Sequence, residues 1–228
     1  MTSPAAAGEP TRTPRETNRE SRRDRLLDSA EELFAERGYF GVSVREITDH
    51  AGTRLAAVSD QFGGKEGLFT AVLLRRIKPL NDDRRSRLAA LPARGTRGRR
   101  LRALIDAFAE PMRQRAGDRG WDNYFRFIAQ VANSGHPIGR FIVEDYNAIA
   151  ADFITHLRAL FPKAPDAAIN DAYLHLVAAS LHTYSNNMRL DSLTDGRMHT
   201  YDIDERHRAL RYFAEGGITT LAAQTASP

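Results

Sequence analysis

The chain reads as an all-α protein: an N-terminal three-helix domain with a helix-turn-helix, followed by a helical bundle, about nine helices in all. Three observations predict this. Nowhere do apolar and polar residues alternate as in a half-buried strand, and no segment repeats. Apolar residues instead recur at spacings of three and four. Between Ser43 and Leu68, two short patterns of that kind are joined by a glycine turn and followed by a longer one.

That stretch organises the rest. Ser43 stands before Val44-Arg45-Glu46, so its hydroxyl can accept the amide of Glu46 while the Glu46 carboxylate reaches back to the serine amide, a capping box. A helix therefore starts at Val44. Val44, Ile47 and Ala51 share one face, and Gly52 follows where a left-handed residue ends a helix. Leu55, Val58 and Phe62 repeat the spacing in a second short helix, with Thr53 placed to cap it. Arg54, Ala57, Ser59, Asp60 and Gln61 fall on its other sides. Gly63-Gly64 ends it and Lys65 opens the next helix. Two helices across a short glycine turn can place the second in a DNA major groove; an ordinary helical hairpin has the same layout.

Taken in order, residues 1–18 read as a disordered tail rich in Pro, Thr and Arg. Residues 19–72 form the helix-turn-helix domain, whose first helix, Arg19–Arg37, carries Leu26, Leu27, Ala30, Leu33 and Phe34 on one side and ends at Gly38. Residues 73–228 form the bundle. Lys65 to Leu91 is expected to kink or break near Ile77, because Pro79 lacks an amide hydrogen and crowds the preceding turn. Further helices are expected over Arg99–Arg115, bent at Pro111, over Trp121–Asn133, from His136-Pro137 through Phe141, Ile142 and Phe153 to Leu160, and from Asp166 to about Leu190. Residues 193–201 read as loop, and Asp204–Ala223 as a last helix broken or closely crossed at Gly216-Gly217.

Composition narrows the function. The chain has 228 residues, enough for a small DNA-binding head and a bundle with its own core. It has no cysteine, which removes disulfides and thiolate metal sites. No apolar run approaches membrane length, and Met1–Arg15 has no apolar signal region, so a cytoplasmic protein without a membrane partner is expected. Charge is unevenly placed. Residues 19–74 carry 8 basic and 10 acidic side chains, whereas residues 75–102 carry 11 basic and 2 acidic. That basic run is either a phosphate-facing field or a solvated helix and loop. No Gly-x-Ser-x-Gly, phosphate loop or ligand cluster suggests catalysis, and neither cofactor nor metal is expected. The Asp171/His175 spacing can hold a metal, but no third ligand accompanies it.

From Arg22 to Phe69 the chain resembles the DNA-binding domain of the TetR family of bacterial repressors, at Ala30, Leu33, Phe34, Gly38, Tyr39, Val44, Ile47, Ala51, Gly52, Phe62, Lys65, Glu66 and Leu68. It departs from the family pattern in the recognition helix, where Arg54, Ala56, Ser59 and Gln61 replace the usual serine, glycine, tyrosine and histidine or tyrosine. Asp60 would be repelled by phosphate unless it accepts from a cytosine amino group or pairs with Arg54. From Arg99 onward the five-helix layout resembles, more weakly, the ligand domain of the fatty-acid-responsive subgroup, through Pro79-Leu80-Asn81, Phe153–Pro162 and Leu181-His182-Thr183.

The resemblance implies a homodimeric repressor that binds a double-stranded DNA operator and responds to a small-molecule effector. Arg45, Arg54, Leu55, Ala57 and Gln61 are then expected at bases, with Ser43, Ser59 and Lys65 on phosphates. Candidate pocket residues are Phe108, Met112, Trp121, Tyr124, Phe125, Ile128, Phe153, His175 and His182; plain core packing is the competing reading of each. Leu174, Leu181, Leu210, Phe213 and Ile218 are expected at the dimer interface. The different-class alternative is an all-α sensor or interaction module without specific DNA binding.

Overall fold

In the computed structural model, residues 14–133 and 143–224 are described, and they form ten helices with no strand among them. In chain order these are α1 (Pro14–Arg37), α2 (Val44–His50), α3 (Ala56–Phe62), α4 (Lys65–Ala89), α5 (Arg97–Arg113), α6 (Arg119–Asn133), α7 (Val143–Leu160), α8 (Asp166–Tyr184), α9 (Arg189–Leu193) and α10 (Ile203–Ala222). The expected helix start at His136-Pro137, with Phe141 and Ile142, lies outside the described residues.

Helix boundaries differ from expectation where a local group outweighs the apolar period. Helix α1 begins at Pro14, not Arg19, since proline at a first helical position lacks only an amide that has no partner there. The expected tail therefore loses residues 14–18 to this helix. Helix α4 runs through Pro79 as a single 25-residue element and does not break at Ile77. Helix α8 ends at Tyr184 instead of Leu190. Asn186 and Met188 adopt left-handed backbone, and the Asn187 amide group donates to the His182 carbonyl at 3.3 Å while its oxygen accepts from the Arg189 amide at 3.0 Å. Such side-chain bonds compete with helix continuation. Helix α10 passes unbroken through Gly216-Gly217, and among the described residues nothing beyond the adjoining turns of the helix itself stands within 4 Å of a Cβ built at either.

The head is built from α1, α2, α3 and the start of α4 around Leu26, Ala30, Phe34, Ile47, Val58, Leu68 and Phe69, all fully buried. Gly67 sets the distance between α3 and α4, because a Cβ there would lie 1.8 Å from the Phe62 carbonyl oxygen. The bundle core takes Leu101, Leu104, Ile105 and Phe108 from α5, Tyr124, Phe125 and Ile128 from α6, and Ile149, Phe153 and Leu157 from α7. Helices α8 and α10 add Ile169, Ala172, Leu176, Leu210, Ala214 and Ile218. Head and bundle share one contiguous apolar cluster.

The seam between them is α6 against α1. Phe127 stacks on Phe34 at 5.7 Å between ring centres and meets Phe69 edge-on at 5.1 Å. Gln130 donates to the Ala35 carbonyl at 3.2 Å. Beside them Arg76 of α4 grips Glu31 of α1 with two bonds of 2.8 and 2.7 Å and lies 5.1 Å from the Trp121 ring centre. Arg119 pairs with Glu32.

The basic run of residues 75–102 is largely consumed inside the protein. Arg75 pairs with Asp28, Arg85 with Asp82 and Asp152, Arg87 with Asp83, and Arg102 with Glu215. Arg84 is buried, and Arg97 lies over Phe161. Most of this run therefore holds helices together and is unavailable as a DNA-facing field.

Phe127→Ala should destabilise the protein by about 3–5 kcal/mol, because the lost ring fills the head–bundle seam. Urea unfolding followed by circular dichroism measures it; a loss below about 1 kcal/mol would mean that the seam is not a packed core.

Candidate functional site

The capping box at the start of α2 is complete. Ser43 Oγ accepts the Glu46 amide at 3.2 Å, and Glu46 Oε2 accepts the Ser43 amide and hydroxyl, each at 2.7 Å. Arg37, in the last turn of α1, donates to Glu46 Oε1 at 2.7 Å and so ties α1 to α2. Hydrogen bonds from the Ser43 hydroxyl, the Ser43 amide and Arg37 together hold the Glu46 carboxyl down to about 2. The turn that follows needs Gly52, whose φ of +61° is the left-handed conformation that glycine adopts without strain.

Helix α3 starts later than its sequence suggests. Its first regular residue is Ala56, Leu55 already has helical backbone, and no side chain caps it. Thr53 is too far upstream to reach the first free amides, and its Oγ1 is buried without a partner among the described residues. The opening turn is closed instead by the Ala57 amide on the Arg54 carbonyl at 2.9 Å.

That start rotates the expected contact surface. Arg54, Leu55, Ala56, Ser59 and Asp60 are exposed on α3, alongside Ser43, Arg45 and Asp49 of α2. Ala57, expected at bases, is 1% exposed and packs inward beside Val58; Ala56 takes its place outside, since one residue turns a helix by about 100°. Gln61 is half-buried with its Oε1 enclosed. Lys65, expected on phosphate, donates to the Tyr39 carbonyl at 2.6 Å and lies 4.2 Å from the Tyr39 ring centre. Burial lowers its pKa. Arg54 reaches Asp60 at 3.2 Å, the pairing that lets a carboxylate sit on this face. Arg45, 85% exposed in its side chain, has only a long contact of 3.9 Å to Asp49.

In the bundle, Phe108, Met112, Tyr124, Phe125, Ile128 and Phe153 come together as buried core. They line neither an open groove of about 610 Å³ between α4, α5 and α7 nor one of about 470 Å³ between α8, α9 and α10. Trp121 stands at the seam, with Arg76 and Arg115 5.1 and 5.0 Å from its ring centre. His175 and His182 do share a helix face, but it is the outer one. Both are exposed, His175 against the Asp171 carbonyl at 2.6 Å and His182 beside Asn187 at 3.2 Å, so neither points into the core, although His182 lines the groove between α8, α9 and α10. Sequence reading missed Arg84, which the core encloses at 5% exposure. A signal was present: Ile77, Leu80, Arg84 and Leu88 follow one another at helical spacings on the buried side of α4.

The expected dimer residues divide in two. Leu174 and Phe213 are 59% and 68% exposed, and Leu181 is half-buried. Leu210 and Ile218 are buried within the protomer, because with Ala214 they form the inward row of α10 at spacings of four. The outward row of that helix is Tyr212, Phe213, Gly216 and Gly217.

A helix-turn-helix head joined to an all-helical domain defines the class of two-domain DNA-binding regulators. Residues 26–72 match the model of bacterial regulatory proteins of the tetR family, and residues 106–217 match the tetracycline-repressor-like C-terminal domain. The chain is 37% identical over 90 residues to the transcriptional activator FasR of Mycolicibacterium smegmatis, an alignment spanning 40% of each protein. Its fold is similar to that of a transcriptional regulator from Pseudomonas aeruginosa PAO1, with a TM-score of 0.60 at 21% identity over 90% of this chain and 91% of that one. It is also similar to that of FadR from Bacillus subtilis in complex with stearoyl-CoA, with a TM-score of 0.53 at 15% identity over 85% and 98%. The chain belongs to the TetR family of DNA-binding transcriptional regulators. Among the described residues no helix is long and apolar enough to cross a membrane.

Ser43→Ala should lower stability by about 1 kcal/mol through loss of the cap, as read by urea unfolding. The folded state lowers the Glu46 pKa, so this carboxyl stabilises the head fully above its ordinary value of 4.5 and loses that contribution as pH falls toward 2. The melting-temperature gap between wild type and Glu46→Gln is expected to close over that interval. A gap that stays constant would rule out an ionised capping carboxylate.

Proposed function

We propose that the protein is a ligand-responsive repressor that acts in the cytoplasm as a homodimer on a palindromic operator. A small apolar or amphipathic effector in the bundle would release it. The observation that carries this reading is the double role of α6. One side of that helix, Tyr124, Phe125 and Ile128, packs into the bundle core, while Phe127 and Gln130 hold the head. An occupant that shifts α6 must shift the head as well.

At the DNA, Arg45, Arg54, Leu55 and Ala56 would meet base edges, with Ser43 and Ser59 on phosphates. The Arg54–Asp60 pair would hold the guanidinium in one orientation as it enters the groove. Two heads are joined through the exposed rows of α8 and α10, where Leu174, Tyr212 and Phe213 are apolar and Gly216-Gly217 lets a second helix come near. Half-sites about 34–36 Å apart, or a multiple of that, then fit a two-fold dimer. Effector binding favours a conformer whose heads no longer match that spacing, and operator affinity falls through a shift in population.

Selection of random duplexes with the purified protein at two salt concentrations should return a palindrome whose affinity falls steeply with salt. Recovery of only weak, sequence-indifferent binding would favour a sensor or interaction module instead. Arg45→Ala is expected to cost about 1–3 kcal/mol of specific binding with an unchanged melting temperature. Equal operator affinity in that variant would remove α2 from the interface.

A further inference from the structure

Arg84 is buried in the bundle in an environment that offers acceptors but, among the described residues, no partner charge. Its Nε donates to the Phe108 carbonyl at 3.1 Å, one terminal nitrogen donates to Asn81 Oδ1 at 3.2 Å, and the other meets Met112 Sδ at 3.4 Å. The guanidinium carbon stands 3.9 Å from the centre of the Phe108 ring. Among the described residues no carboxylate lies within ion-pair distance of it. Every contact is to a neutral group, and these bonds use three of the five N–H groups of an arginine.

The contrast with Arg76, eight positions earlier on the same helix, shows what is missing. Arg76 is also shielded from solvent, but it holds Glu31 through two bonds, and that hydrogen bonding raises its pKa. Burial lowers the pKa of Arg84, and among the described residues no carboxylate opposes that effect. An arginine does not escape by losing its proton, so an enclosed guanidinium without a counter-charge is an unfavourable arrangement unless an anion arrives.

Its surroundings suit one kind of anion. The charge of Arg84 acts on the phenols of Tyr173, Tyr124 and Tyr146. Tyr124 and Tyr146 face each other at 3.3 Å between hydroxyl oxygens, and burial pushes Tyr124 up to about 12, so it remains a neutral hydroxyl able to donate. Around the guanidinium, Phe108, Phe153 and Tyr173 form an aromatic wall with ring centres 5.2 to 6.3 Å apart. A planar fork of donors beside hydroxyls and apolar rings matches a carboxylate on an apolar body better than it matches a neutral lipid or a cation.

We infer that Arg84 is the anion receptor of the effector site and that the effector is an organic carboxylate, its charged end on Arg84 and its apolar body against Phe108, Phe153 and Tyr173. The inference rests on the ligand-responsive reading above and narrows it. It also gives the signal a route, because Arg84 lies on α4, the helix that opens the head at Lys65 and holds α1 through Arg76. Aliphatic and aromatic acids share the carboxylate chemistry and differ only in the body.

The test uses the full chain and the fluorescence of Trp121, its single tryptophan. Straight-chain acids from acetate to dodecanoate, together with phenylacetate, are titrated beside the corresponding alcohols into wild type, Arg84→Leu and Arg84→Lys. At least one acid should bind wild type while its alcohol binds far more weakly. Its affinity should fall roughly thirtyfold or more in Arg84→Leu, as when one partner of a buried charge pair is removed. Arg84→Lys keeps the charge without the fork and should show a smaller loss. If Arg84→Leu does not fold, the acid-to-alcohol ratio in wild type and the Lys variant decide the matter. Acids that bind no better than alcohols, or equally to wild type and variants, would overturn the proposal; so would a panel in which no acid binds. Operator binding is measured separately with the tightest acid. An acid that binds through Arg84 yet leaves operator affinity unchanged would retain the anion receptor and overturn the release mechanism.

Discussion

The seating of α6 on α1 is the contact on which the other parts depend. Phe127 fills the space between Phe34 and Phe69, and Arg76 grips Glu31 in a largely dry environment beside the Trp121 ring. Breaking either partner of a buried ion pair leaves an uncompensated charge, and deleting a core ring leaves a cavity, so both elements resist separate motion. The head therefore follows α6 as a rigid attachment. A helix that contributes its other side to the bundle core is a direct mechanical link between the interior of one domain and the orientation of the other.

Helix α4 makes a second link by electrostatics. At about 1.5 Å per residue its 25 residues span roughly 37 Å, from the end of the recognition helix to the far end of the bundle. Its arginines are distributed unequally along that length. Arg75, Arg76 and Arg85 have carboxylates on neighbouring helices and Arg87 has Asp83 on its own, whereas the arginine enclosed by aromatic rings has none among the described residues. A charge satisfied everywhere except at the centre of a core marks the place where a counter-charge from outside would have the greatest effect on stability. Since α4 also positions the head, that effect is not confined to the bundle.

The exposed face of α2 and α3 proposed to meet DNA is small and nearly balanced in charge. Arg45 and Arg54 are accompanied by Asp49 and Asp60, Arg37 and Arg75 are engaged with acidic partners on other helices, and Lys65 is held by the Tyr39 carbonyl. Non-specific attraction to phosphate is correspondingly modest for a DNA-binding face. In the proposed dimeric complex, affinity would then come from shape and from base contacts by a few side chains, with two heads acting together.

Features set by neighbours in the chain were legible from the sequence alone. The Ser43–Glu46 cap, the left-handed Gly52, the Gly63 break and the all-helical class each follow from residues within a few positions of one another, where backbone sterics and local hydrogen bonds decide the outcome. Tertiary packing decided which side of each helix faces inward. Ala56 rather than Ala57 lies outside because Leu55 is already helical; Lys65 is held by Tyr39; His175 and His182 face outward; Leu210 and Ile218 belong to the protomer core. Arg84 is the clearest case. Within a run of basic residues only its place in the row of Ile77, Leu80 and Leu88 sets it apart, and the approach of α5 beside α4 and of the aromatic rings of α6, α7 and α8 is what encloses it. A sequence specifies where a charge stands along its helix, but the solvation of that charge depends on elements far away in the chain.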